Sequence, residues 1–216
     1  MRRLAGIRRQ QRPGRRRGPG VVGRRLAAIA SLLFVTLTVA CSDAPQWQTR
    51  AIGSEFPELE FELTVDNGDV ITADRLQGTV TLLFFGYTYC PDVCPMTLAT
   101  LSAALRELTA TQSDQVRVIF VSVDPARDDP QHLAAYASAF GPQFIGATAE
   151  IDRLRQLANR YGSSFQYGPE TDNGHYLVTH GSSVLAFDRD GRARLLIGPN
   201  DSVKAIAHDL RQLLSS

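Results

Sequence analysis

The stretch Val80, Thr81, Leu82, Leu83, Phe84, Phe85 carries no charged side chain and stops at Gly86. Strand residues alternate between two faces, so a run that is apolar at consecutive positions needs cover on both sides of its sheet. Such a strand belongs at the centre of a layered α/β fold. Directly beyond it come Tyr87, Thr88, Tyr89, Cys90, Pro91, Asp92, Val93, Cys94 and Pro95, and then Leu98, Leu101, Leu105 and Leu108 at helical spacing. Two thiols thus stand where a central strand hands over to a helix. Sulfur in that place can do redox chemistry or hold a soft metal ion.

The remaining pattern extends the same architecture. Leu59, Phe61 and Leu63 alternate with Glu60 and Glu62. The turn Asp66, Asn67, Gly68, Asp69 then leads into Val70, Ile71 and Thr72, a hairpin. A second buried strand is predicted over 116–123 and a short one over 144–146. Between them a helix over 129–140 puts Leu133, Tyr136, Ala137 and Phe140 on one face. Ile151, Leu154, Leu157, Ala158 and Tyr161 mark another helix. Strands over 182–187 and 193–197 flank the turn Asp188, Arg189, Asp190, Gly191, and a last helix carries Val203, Ile206, Ala207, Leu210, Leu213 and Leu214. The order is a hairpin, β-α-β-α-β-α, a hairpin and a helix. This predicts an α/β fold with a central mixed sheet, parallel in its middle and antiparallel at one edge, flanked by helices.

Charge divides the chain. Ten of the 23 basic residues lie within 1–40, where there is no acid, so 13 basic residues face 22 acidic ones over the rest, a net of −9. An acidic folded part argues against nucleic-acid binding. Residues 26–40 are uncharged but shorter than the roughly 20 apolar residues that span a bilayer. A basic head, an apolar stretch and Ala40 before Cys41 read as an export signal, with Cys41 placed like the lipidated Cys of bacterial lipoproteins. Arg24 and Arg25 are a weak twin-arginine signal. An uncleaved anchor is the alternative, and either puts the domain outside the cell membrane, facing the periplasm. The resulting organisation is 1–40 export segment, 41–56 tether and 57–216 a single domain.

With Cys41 set aside for lipid, Cys90 and Cys94 remain as a pair. A helix N-terminus favours negative charge, so both thiol pKa values are expected to fall. Pro95 suits a first helical turn. The spacing is one residue longer than the Cys-x-x-Cys of dithiol oxidoreductases, yet a disulfide remains bridgeable. Structural zinc would require four ligands, and no second Cys pair exists. Copper(I) accepts thiolates and imidazole in smaller number. Among the four histidines, His132 and His208 read as surface residues and His175 as a loop residue. His180, just before a strand, is the better candidate for ligand or base. Met96 reads as core filler rather than a thioether ligand. Tyr87 and Tyr89 read as walls, and Asp92 as a solvated acid.

The segment from Phe85 to Pro95 closely resembles the signature of the Sco/SenC family. So do Ser122, Val123, Asp124, Pro125, Ala126, Arg127, Asp128, the block over 140–148, and Leu177, Val178, Thr179, His180, Gly181, Ser182. The four blocks fall in order across 56–214. The resemblance implies a thioredoxin-like fold, exported and membrane-anchored. It implies copper bound by Cys90, Cys94 and His180, for assembly of the dinuclear copper centre in subunit II of cytochrome c oxidase. A periplasmic copper donor or thiol reductant would be a further partner. Asp124 matches an acidic residue near the site, with a tuning or docking role or, as an equal alternative, a plain structural cap role. Thr179 stands where the family commonly has Asp.

Three functions compete on these residues. Copper delivery uses the two thiols and His180. A thiol–disulfide oxidoreductase that keeps the client's copper-ligating cysteines reduced would use Cys90 and Cys94 as its redox pair. A thiol peroxidase is disfavoured by Pro91, which stands where the Thr or Ser of peroxiredoxins would be. General dithiol oxidoreductase activity is also disfavoured, because no Pro occurs between Pro169 and Pro199 to supply the usual proline beside the Cys pair.

Overall fold

The computed structural model describes residues 46–65 and 68–215. The export segment, Cys41, and Asp66 and Asn67 of the first turn lie outside the described residues. No helix among those described is long and apolar enough to cross a membrane.

The central sheet has six strands in the order β1 (Arg50–Ala51), β10 (Ala193–Ile197), β9 (Val184–Phe187), β4 (Val80–Gly86), β5 (Val116–Ser122) and β6 (Phe144–Ala147). β4, β5 and β6 run parallel, while β9 joins β4 antiparallel and β10 and β1 continue that sense. Two small ladders stand apart from it: β2 (Glu62–Thr64) with β3 (Val70–Thr72), and β7 (Phe165–Tyr167) with β8 (Val178–His180). The N-terminal hairpin is therefore present as expected, as a separate ladder. The helices are α1 (Val93–Arg106), α2 (Ala110–Ser113), α3 (Pro130–Ser138), α4 (Ile151–Arg160) and α5 (Val203–Ser215). α1 packs on α5, and α3 on β6.

The double-sided apolar run behaves as its composition demands. Every residue of β4 is buried, and Leu82, Leu83 and Phe84 are fully enclosed. Each such side chain contributes about 1.5–3 kcal/mol by leaving water. Buried β5 lies against β4 with Phe84 opposite Phe120 and Gly86 opposite Ser122. The C-terminal ends of these two strands lead into the turn that carries Cys90 and the turn that carries Asp124 and Asp128.

Helix starts follow local chemistry. Asp129 caps α3 by accepting the His132 N–H at 2.8 Å, with Pro130 in the first turn. α1 has no side-chain cap from Asp92. Instead the Cys94 N–H donates to Cys90 Sγ at 3.4 Å, so sulfur stands in the place of a capping oxygen.

Of the tether expected over 41–56, the described residues join the folded part. Trp47 and Phe56 pack on the core, and β1 pairs with β10. Buried Asp209 of α5 accepts the N–H groups of Gln48 and Thr49 and the Thr49 hydroxyl, at 2.8–3.1 Å. A two-residue strand is too short to show a period, and the carboxylate that anchors it is 160 residues away.

Candidate metal centre

Three elements converge on one point. β4 ends at Gly86, the turn that follows delivers Cys90, and the first turn of α1 delivers Cys94. The β7–β8 ladder, far along the chain, brings in His180 as the last residue of β8. The two sulfurs and a His180 ring nitrogen lie within 4.8 Å of one another. Cys94 Sγ is 3.2 Å from His180 Nε2. Among the described residues no other set of Cys, His and acidic side chains converges in this way.

The two cysteines differ. Cys94 is fully buried, whereas Cys90 is partly exposed, and neither is in a disulfide. Cys94 Sγ sits against bare backbone: a Cβ added at Gly86 would lie 2.7 Å from it and 2.7 Å from the Phe120 ring. Glycine is thus required here for space. Burial pushes the Cys94 thiol up, a hydrogen bond from the Tyr87 backbone only partly opposes this, and the charge of Cys90 adds to it. The expected lowering at a helix N-terminus is overturned for Cys94 because desolvation outweighs the helix field.

His180 is held in the form a metal needs. Its Nδ1 donates to the Gly181 carbonyl at 2.8 Å, which turns the Nε2 lone pair towards the sulfurs. Burial lowers its pKa, with hydrogen bonds to the Gly181 and Phe85 carbonyls acting in the other direction. The imidazole is therefore neutral at neutral pH. Phe84 and Tyr87 meet its ring edge-on, with centroids 6.1 and 5.8 Å away.

A polar frame surrounds these three side chains. Fully buried Asp128 accepts from Thr88 N–H at 2.9 Å, Thr88 hydroxyl at 2.6 Å and Ser122 hydroxyl at 2.6 Å. It pins the turn leading to Cys90. Asp124, the acidic candidate read from sequence, touches neither sulfur nor imidazole; it pairs with Arg127 at 2.6 Å and accepts the Tyr176 hydroxyl at 2.7 Å. Nothing in the sequence pattern separates the roles of Asp124 and Asp128, four residues apart in one motif.

His132 contacts the Thr88 hydroxyl and stacks on Tyr89. His175 hydrogen-bonds Thr171, and His208 contacts Gln46 and Gln212. None of the three joins the cluster. Met96, expected in the core, is 63% exposed. Tyr87 is buried and walls the site as expected, whereas Tyr89 is largely exposed. Thr179 is exposed on β8.

A parallel β-α-β core with an antiparallel edge, and a cysteine pair at the turn from its central strand into a helix, define a thioredoxin-like protein. A family model described as SCO1/SenC matches residues 51–215, and the chain belongs to that family. The copper-bound structure of Bradyrhizobium japonicum ScoI is similar at a TM-score of 0.66 and 36% identity, covering 73% of this chain and 99% of that one. The apo Sco1 protein of Thermus thermophilus gives a TM-score of 0.71 and 34% identity, covering 80% and 100%. The mitochondrial protein SCO2 of Saccharomyces cerevisiae is 32% identical over 168 residues, 77% of this chain and 56% of that protein. The match spans 56–66% of the length of the first curated relatives.

Proposed function

We propose that the protein is a copper metallochaperone that takes up copper with Cys90, Cys94 and His180 and passes it to an acceptor protein. The observation that carries this reading is the convergence of two sulfurs and one imidazole nitrogen within 4.8 Å. Two soft thiolates and a borderline imidazole, too few for a structural zinc site, suit copper. Copper here is cargo, so the site must release as well as bind. The unequal burial of the sulfurs favours this: partly exposed Cys90 is the ligand an incoming thiolate can displace first, while Cys94 and His180 retain the ion. The names of copper-bound relatives support the choice of metal.

The acceptor we propose is the dinuclear copper centre of cytochrome c oxidase subunit II. Residues 1–40 would export the chain, and acylated Cys41 would tether it to the outer face of a bacterial cell membrane. Loss of the protein is expected to lower oxidase activity, with added copper restoring part of it. Normal oxidase under copper limitation would point to a different client.

One observation favours a second reading. A partly exposed cysteine beside a buried, unbonded one is also the geometry of an attacking and a resolving thiol. In that role Cys90 would attack a client disulfide and Cys94 would close the Cys90–Cys94 bond, leaving the client's two thiols reduced. The same sulfurs serve both readings, so copper-loaded and disulfide forms would exclude one another.

A further inference from the structure

Arg127 lies outside the metal cluster, yet it touches both segments that build it. Its Nε donates to Asp124 at 2.6 Å and its Nη1 to the Tyr176 carbonyl at 3.0 Å. Its guanidinium lies 3.6 Å from the centre of the Tyr176 ring, 5.0 Å from that of Tyr89 and 5.7 Å from that of Tyr87. The remaining nitrogen, Nη2, is buried with no hydrogen-bond partner. Tyr176 closes the arrangement by donating its hydroxyl to Asp124.

The connections onward lead to the ligands. Tyr176 precedes Leu177 and β8, which ends in His180. Tyr87 accepts the Val178 N–H on its hydroxyl at 3.3 Å, lays its ring against His180, and accepts the Cys90 N–H on its carbonyl at 3.3 Å. Tyr89 is the neighbour of Cys90. One side chain thus braces the His-bearing ladder against the Cys-bearing turn, and no backbone hydrogen bond pairs β8 with the central sheet.

We propose that Arg127, held by Asp124, is a positioning residue that sets the separation between His180 and the two sulfurs. It acts through Tyr176 and Tyr87 and touches no ligand atom. The planar fork that both stacks and donates is the required property, and a lysine cannot reproduce it. Removing a residue that orients a metal ligand weakens binding by about 10- to 100-fold, and an effect routed through His180 must vanish when His180 is gone.

This inference rests on the copper reading, and the two fail separately. Copper(I) affinity of the reduced full-length chain is measured by competition with a chromophoric chelator for wild type, Arg127→Ala, His180→Ala and the double variant. Arg127→Ala is expected to weaken binding about tenfold in the wild-type background and to change it less than about twofold in the His180→Ala background. No loss in the first background, or equal loss in both, overturns the proposal. Arg127→Lys is expected to behave like Arg127→Ala, and full recovery by lysine would also overturn it. In metal-free protein, Arg127→Ala is expected to shift or broaden the NMR signals of the His180 ring while leaving those of His208 in place; unmoved His180 signals overturn the proposal without any copper. A wild-type chain that binds no copper sinks the copper reading and leaves the NMR comparison to decide on Arg127. If Arg127→Ala fails to unfold cooperatively, Tyr176→Phe, which loses only the bond to Asp124, goes through the same comparisons with the same expectations.

Discussion

Cys94 Sγ and His180 Nε2 are 3.2 Å apart although 86 residues separate them in the chain. The contact joins the first turn of α1 to the end of an isolated two-stranded ladder. Everything proposed for the protein depends on that closure, and several consequences can be measured.

Gly86 leaves no room for a side chain between Cys94 Sγ and the Phe120 ring. Gly86→Ala should cost about 1–3 kcal/mol of stability by overpacking. It should also weaken copper binding, because the sulfur has to move. Denaturant unfolding and copper competition on the same variant check both. Unchanged affinity would mean that the exact seat of Cys94 is unimportant.

Stability of the metal-free, reduced protein should fall at both ends of the pH scale. Burial lowers the pKa of His180 from 6.5, so below about pH 6.5 the unfolded chain takes up the proton first and stability declines. Burial raises that of Cys94 from 9.0, so above about pH 9 the unfolded chain loses its proton first and stability declines again. Between these limits both contributions are complete. Unfolding free energies across pH should show the acid slope reduced by His180→Gln and the alkaline slope by Cys94→Ser. Because the Cys94 thiol is protonated at neutral pH, copper loading should also release its proton, visible as buffer-dependent heats in calorimetry.

Asp209→Ala should cost about 2–3 kcal/mol, because it strips the partners from buried Thr49. Amide exchange at Gln48 and Thr49 should accelerate, while copper affinity stays the same, since β1 is the edge strand farthest along the sheet from β6 and separated from β4 by β10 and β9. A parallel loss of copper affinity would show that this edge and the metal centre are coupled.

Much of this was legible in the chain because it is written in side-chain chemistry. The apolar run into Gly86 defined β4, and the leucines after Cys94 defined α1. Asp188 to Gly191 formed the expected turn, with Gly191 at φ 79°. The ladder carrying His180 was not legible. β7 and β8 have three residues each, with one buried position in each, so neither displays a period, and His180 was expected ahead of a strand rather than within one. Asp209 and Arg127 act through contacts 160 and 49 residues distant, which no local pattern encodes. Met96 occupies a helical position consistent with core packing by type alone; only the fold shows that it faces solvent.

Copper titration of the reduced full-length chain, beside Cys90→Ala, Cys94→Ala and His180→Ala, decides whether these three side chains hold the metal. Ligation by Cys90, Cys94 and His180 requires one copper per wild-type chain, with thiolate-to-metal absorption when copper(II) is used, and weakened binding with an altered spectrum in each variant, all of which remain folded. Copper bound by wild type and His180→Ala with the same affinity and the same spectrum would contradict it.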